Sequence, residues 1–188
     1  GYGLSETCPV LSFAAVTPGE EEDVAARVRT GRPLPLVDLR VVNEEMVEQP
    51  RDGASTGEVV VRAPWLSAAY LKDEAASEAL WRGGVMHTGD VGHIDAAGNL
   101  QITDRMKDVI KSGGEWVSSL ALESIASAVG GVGEVAAIGI PDKQWGERPI
   151  LLIVGAEGFD KAAVEEALGT VFDAEVAAGK LSKWAVPK

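Results

Sequence analysis

The strongest constraint on what this chain can fold into is a stretch near its middle, residues 87–117, HTGDVGHIDAAGNLQITDRMKDVIKSGGEWV. Residues 91–94 and 100–102 have strand character, and Asp95, Ala96, Ala97 and Gly98 make the turn between them. The stretch then runs into Asp104, Arg105, Met106, Lys107 and Asp108, a cluster too charged to be core. A short charged link between two folded parts is where a hinge sits. Beyond it, Gly113 and Gly114 permit a sharp bend or a close backbone approach to a ligand. Asp90 follows Thr88 and Gly89 at a strand end, where a carboxylate can face a ligand's hydroxyls. Arg105 offers a planar fork of donors suited to hydroxyls, carboxylates or phosphates. On the charges alone, a plain hairpin with a solvated charge run is the simpler reading.

The segments on either side have their own signals. In the opening GYGLSETCP, Tyr2 lies between glycines, which leaves both ring faces accessible, and Ser5 and Glu6 supply a hydroxyl and a carboxylate. An ordinary turn leaving a strand explains this nonamer equally well. Residues 17–30 read as a short surface helix: Thr17 caps, Pro18 fits the first turn, the acidic residues 20–23 suit the positive end of the dipole, and Val24, Ala25 and Val28 share a face. Residues 32–70 are strand-rich, alternating over 37–42 and 58–62, with Trp65 and Tyr70 as core aromatics. A helix is expected over 74–81. His87 and His93 have no nucleophile or metal-ligand pattern beside them and are read as structural, and Cys8 is read as packing. After the glycine pair, Ser118 or Ser119 caps a helix with Leu122, Ile125, Ala126 and Val129 inward. A strand over 134–140, a loop over 143–149, and an apolar strand over 150–154 buried on both faces follow. A last helix over 160–178 has Val164, Ala167, Leu168 and Val171 as its inner face.

A chain of 188 residues is long enough for one domain or two small ones. Its net charge of -12, from 29 acidic and 17 basic residues, argues against nucleic acid as a partner, whose binders present a basic face. One phosphorylated ligand needs only local donors, so that class stays open. A single cysteine excludes an internal disulfide and suits a cytoplasmic setting. No apolar run approaches the roughly 20 residues of a membrane span, and no signal peptide is visible. The oligomeric state is left open.

The ordered set of Thr88-Gly89-Asp90, then DRMKDVIKSGGEWV over 104–117, resembles the hinge region of the adenylate-forming enzymes: acyl-CoA synthetases, peptide-synthetase adenylation domains and luciferases. SGGEWVSS over 112–119 is most similar to medium- and long-chain fatty acid–CoA ligases. The opening nonamer is similar to the family's aromatic-Gly-x-Ser/Thr-Glu motif. GEVVVRAPWLSAAY over 57–70 is similar to its GELxVRGPxxxxGY segment, with alanine at 63 and at 68 or 69 where glycine is frequent. Residues 136–154, AAIGIPDKQWGERPILLIV, match its terminal domain. The resemblance implies that Tyr2 lies against adenine, Ser5 contacts a phosphate, and Glu6 helps hold Mg²⁺, which usually takes one or two carboxylates plus phosphate oxygens. It implies that Asp90 and Arg105 bind the ribose of ATP or AMP and that Ile102 lines the nucleotide pocket. Lys107 becomes the hinge residue. Lys111 and the Gly113-Gly114 loop approach the active site in the thioester-forming state, where CoA enters, and Trp116 lies near the adenylate in that state.

The expected fold is therefore mixed α/β: a β-rich part of a large AMP-binding domain over 1–105, then a small mobile α/β domain over 106–188, joined by a hinge. The family's Ser/Thr/Gly-rich loop ending in lysine would precede Gly1, and Lys188 lacks the context of its catalytic C-terminal lysine. The chain is accordingly expected to be about the C-terminal third of a ligase, inactive when isolated. The implied reaction joins a fatty acid to AMP and then to CoA. The alternatives are loading of another acid or of a carrier-protein thiol, and a non-catalytic nucleotide-binding or interaction module.

Overall fold

Apolar runs such as Val59-Val60-Val61 and Ile150-Leu151-Leu152-Ile153-Val154 build the central strands of the sheets. In the computed structural model, which describes residues 1–15, 19 and 24–188, the chain divides into two units, Gly1–Met106 and Lys107–Lys188. The first holds a two-stranded and a four-stranded antiparallel sheet and the second one four-stranded antiparallel sheet, each with helices, a mixed α/β fold as expected.

In the first unit, β1 (Ser12–Phe13) pairs with β2 (Arg32–Pro33), and α1 (Val24–Val28) lies between them in sequence. The expected caps Thr17 and Pro18 and the acidic residues 20–23 lie outside the described residues. Val24 and Val28, read as sharing a face, are both well exposed. A four-stranded sheet follows in the order β3 (Asp38–Val42), β4 (Gly57–Arg62), β5 (Met86–Ile94) and β6 (Leu100–Arg105). Helix α2 (Glu74–Leu80), capped by the Asp73 carboxylate accepting from Ala76 N–H, leads into β5. Val59, Val60 and Val61 are all buried, so the alternation expected over 58–62 does not become alternating exposure. Strand β4 is central and covered on both sides. Val59 and Val61 pack with Leu11, Leu39, Met86 and Leu100, while Val60 packs with Val42 and Val85. The charge cluster also begins inside the sheet: Asp104 lies in β6 and is 2 % exposed, against the expectation that these charges avoid the core. Its carboxylate accepts the N–H of Arg105 at 2.7 Å, which offsets part of the burial penalty.

The second unit orders its strands β8 (Glu115–Val117), β7 (Ile110–Ser112), β10 (Gly146–Gly155) and β9 (Val132–Asp142), with helices α3 (Ser119–Ser127) and α4 (Lys161–Ala177). Ser118 Oγ caps α3 by accepting from Ala121 N–H, and the Asp160 carboxylate caps α4 from Ala162 and Ala163. Two expectations are corrected. Residues 146–149 are strand and not loop, because β9 and β10 form a hairpin closed by Asp142 Oδ1, which accepts from Gln144 and Trp145 N–H. The apolar run 150–154 is covered on one face only: Leu151 and Ile153 pack under the helices, whereas Leu152 and Val154 are exposed. An unbroken apolar run does not report how many layers cover a strand.

Leu122, Ala126, Val164, Leu168 and Phe172 form the core beneath that face. Phe172, absent from the expected inner face, is 3 % exposed. Phe172→Ala is expected to destabilise the protein by about 3–5 kcal/mol, through lost burial and the residual cavity. Urea denaturation would show it, and a loss below about 1 kcal/mol would mean that the helix is not seated there.

Candidate functional site

Strand register creates the first unit's polar cluster. Asp90 on β5 pairs directly with Arg105 on β6. Arg105 Nε reaches Asp90 Oδ1 at 2.8 Å, and the Tyr2 hydroxyl donates to Asp90 Oδ2 at 2.7 Å. Asp90 is buried to 3 % exposure, while more than half of the Arg105 side chain is open to solvent. Both oxygens of the carboxylate thus have a partner, and each retains a further lone pair. Burial above all, with the Asp90 carboxylate adding to it, holds the Tyr2 phenol above its ordinary 10.0, so it remains a donor at neutral pH. Tyr2 packs against the first core through its ring, so the reading of two accessible ring faces is corrected.

The loop carrying Asp90 is a bulge. Two steps along β4, from Glu58 to Val60, are matched by four along β5, from Val91 back to His87. Gly89 sits at φ +70°, in the left-handed region that side chains other than glycine rarely adopt. The Thr88 hydroxyl donates to Val59 C=O at 2.7 Å and accepts from Asp90 N–H at 3.2 Å. Met106 N–H donates to Gly89 C=O. The His87 ring bridges Glu58 and the carbonyl of Arg82, in keeping with its structural reading. His93 is a partly buried strand residue, and burial pushes its imidazole below the ordinary 6.5.

A cavity of about 90 Å³ opens beside this bulge, lined among others by Glu6, Tyr70, His87, Thr88 and Arg105. Tyr70 was read as core; it is 41 % exposed, and its hydroxyl donates to Glu6 Oε1 at 2.8 Å. That bond is the main cause holding the Glu6 carboxyl below its ordinary 4.5. Trp65 is half-buried. Tyr70 is the residue that sequence reasoning missed, although its place at the end of the alanine-containing segment after β4 was the available signal. Ser5 is exposed in a short 3₁₀ turn over Ser5–Thr7. Ile102 packs against the first core and does not line this cavity. Cys8, read as packing, is exposed.

Among the described residues, no group of three or more His, Cys, Asp and Glu could hold a metal ion. An ionised Glu6 at a cavity wall nonetheless fits Mg²⁺, whose remaining ligands come from phosphate oxygens and water. Tyr70→Phe is expected to raise the Glu6 carboxyl back towards 4.5. An ionised Glu6 is favoured in the fold above the unfolded value, and that contribution is lost as pH falls through the depressed one. An NMR titration of Glu6 would show the shift, and an unmoved midpoint would remove Tyr70 from this role.

Lys107, Lys111, Gly114 and Trp116 belong to the second unit. Lys107 is in the turn after β6, 79 % exposed in its side chain, with Asp108 3.9 Å away. Lys111 and Trp116 face each other across the β7–β8 hairpin, with Lys111 Nζ 5.4 Å from the indole centroid. Lys111 N–H donates to Glu147 Oε2 at 2.8 Å. Gly113 and Gly114 form the hairpin tip at φ +63° and +82°. A Cβ at Gly113 would sit 3.4 Å from Trp145, which stacks on Trp184 at 4.5 Å. At Gly114 no atom lies within 4 Å of such a Cβ, so the left-handed backbone alone requires glycine. Among the described residues, no helix is long and apolar enough to cross a membrane.

Residues 1–71 match the model of the AMP-binding enzyme family, and residues 121–188 match that of the AMP-binding enzyme C-terminal domain. The chain is 42 % identical over 160 residues to a long-chain-fatty-acid–CoA ligase of Thermus thermophilus, covering 82 % of this chain and 30 % of that protein. It is also 42 % identical over 194 residues to a 3-methylmercaptopropionyl-CoA ligase of Ruegeria lacuscaerulensis, covering 99 % of this chain and 34 % of the relative. Among solved structures, the o-succinylbenzoate CoA synthetase of Bacillus subtilis in complex with its acyl-adenylate intermediate superposes with a TM-score of 0.75 at 27 % identity, over 99 % of this chain and 35 % of that one. The chain thus spans about a third of the length of the curated relatives it matches. With both family models matched in chain order and a mixed α/β fold in each unit, this chain belongs to the adenylate-forming, AMP-binding enzyme superfamily.

Proposed function

We propose that the full-length protein is an ATP-dependent acid–thiol ligase, which joins a carboxylic acid to AMP and passes the acyl group to a thiol such as that of CoA. The observation carrying this reading is Asp90, set between the Tyr2 hydroxyl and the Arg105 guanidinium at a cavity-side bulge of a family member. In this reading Asp90 accepts the ribose hydroxyls, and Arg105, more exposed, contacts the same sugar. Tyr2 lies at the adenine and Ser5 meets a phosphate. Glu6, oriented by Tyr70, holds Mg²⁺, which supplies charge neutralisation at the phosphates when bound. Lys107, the first residue of the second unit, is the hinge. Lys111, Gly114 and Trp116 serve the thioester step, where a tip without side chains leaves room for a slender thiol arm.

The acid is proposed only as a carboxylate. The two relatives at 42 % identity are named for a long-chain fatty acid and for 3-methylmercaptopropionate, which have little in common beyond that group. This favours the broader alternative, an adenylating enzyme for another acid, over assignment to fatty acids. Acid-dependent ATP–pyrophosphate exchange by the full-length protein across aliphatic, thioether and aryl acids tests the first half-reaction. Thioester formation with CoA against a carrier protein then identifies the acceptor. Binding of ATP without exchange for any acid would replace this reading with a non-catalytic nucleotide module.

A further inference from the structure

The bulge that presents Asp90 is held from behind by a buried charged residue with no role in the scheme above. Glu58 stands in a strand of valines, and its side chain is only 12 % exposed. A carboxylate in such a strand is unfavourable unless each oxygen is paired. Both are. Glu58 Oε2 lies 2.8 Å from His87 Nδ1, and Glu58 Oε1 accepts from Gly89 N–H at 3.3 Å. His87 Nε2, on the far side of the ring, donates to Arg82 C=O at 3.0 Å. One proton is therefore shared between Nδ1 and Oε2, whichever atom carries it. The two groups that Glu58 holds, the His87 ring and the Gly89 amide, lie on either side of Thr88 within the extra length of β5, and Asp90 comes next. Glu58 is thus tied to the segment where the register shifts, and the His87 ring also lines the 90 Å³ cavity.

We propose that Glu58 is a positioning residue for nucleotide binding: through His87 and the Gly89 amide it holds the 88–90 bulge in the shape that aims the Asp90 carboxylate at the ribose. The inference rests on the reading of Asp90 as the ribose acceptor. A purely structural Glu58 would change stability without changing which sugar is bound. Its removal should instead erode discrimination between ribose hydroxyls and their absence.

The test is titration calorimetry of the full-length protein with Mg-ATP and with Mg-2′,3′-dideoxy-ATP, alongside melting temperatures. Wild type should prefer ATP by tenfold or more, on the order expected for hydrogen bonds to a charged acceptor. Asp90→Asn should reduce that preference to about twofold or less. Glu58→Ala should do the same, although residue 90 is intact. Glu58→Gln keeps an acceptor for Gly89 N–H and offers a donor to Nδ1, so it should recover most of the preference. A folded Glu58→Ala protein that melts lower yet retains the full preference overturns the proposal and leaves the Asp90 reading standing. A preference that survives Asp90→Asn overturns both. Should Glu58→Ala fail to fold, His87→Phe fills the ring's volume while removing its hydrogen bonds. Lost preference there supports the proposal, and retained preference overturns it.

Discussion

Asp90→Ala is expected to lower kcat/KM for ATP in the full-length protein by about thirtyfold or more, since truncating one partner of a buried, hydrogen-bonded charge costs about 2–5 kcal/mol. One reason for so large a value is structural and the other follows from the proposed role of Asp90. The carboxylate is the meeting point of Tyr2 and Arg105, so its loss leaves a buried phenol donor unpaired and releases the guanidinium into solvent. On the proposed reading of Asp90, the ribose then loses its acceptor as well. Asp90→Asn separates the two: it keeps the size of the group and one acceptor oxygen but removes the charge, and an intermediate loss is expected. Steady-state ATP–pyrophosphate exchange, read with the melting temperature of each variant, measures the effect. An alanine variant within about threefold of wild type at normal stability would remove Asp90 from the nucleotide site.

Lys107→Pro is expected to separate the two half-reactions. Lys107 is the first residue of the second unit and lies in a turn, with a solvated side chain. Proline there fixes φ near -65° and restricts Met106 as well. A joint that must adopt two backbone conformations would be confined to one. Adenylate formation should stay within about threefold of wild type, while thioester formation should fall on the order of tenfold or more. Single-turnover measurements of the two steps give the ratio. Equal impairment of both would mean that residue 107 is not where the units move. Lys107→Ala is the control: with the ammonium paired only loosely to Asp108, at 3.9 Å, its removal should affect both steps little.

Local signals were legible where a short stretch decides its own conformation. Ser118 and the helix after it, the Asp95–Gly98 turn and the inward Leu122 and Ala126 all follow from capping, turn chemistry and periodicity. Neighbours that only the fold supplies were not legible. Asp104 looked too polar for the interior, yet β6 buries it. Leu152 and Val154 looked like core, yet no element among the described residues covers that face of the hairpin. Tyr70 looked like packing and instead reaches Glu6, 64 residues away in sequence.

The same division applies to the site. The residue types that the proposed nucleotide site needs, a carboxylate at 90, a guanidinium at 105 and a carboxylate at 6, were present in the order of residues alone, because each motif is local. Their association was decided by register. Antiparallel pairing sets Asp90 opposite Arg105, the return of the chain start brings Tyr2 to the same carboxylate, and a bulge stapled by Glu58 turns it. A sequence specifies which groups exist and which turns they prefer. Which of them share a proton depends on strand offsets of a single residue, and those are set by the packing of the whole sheet.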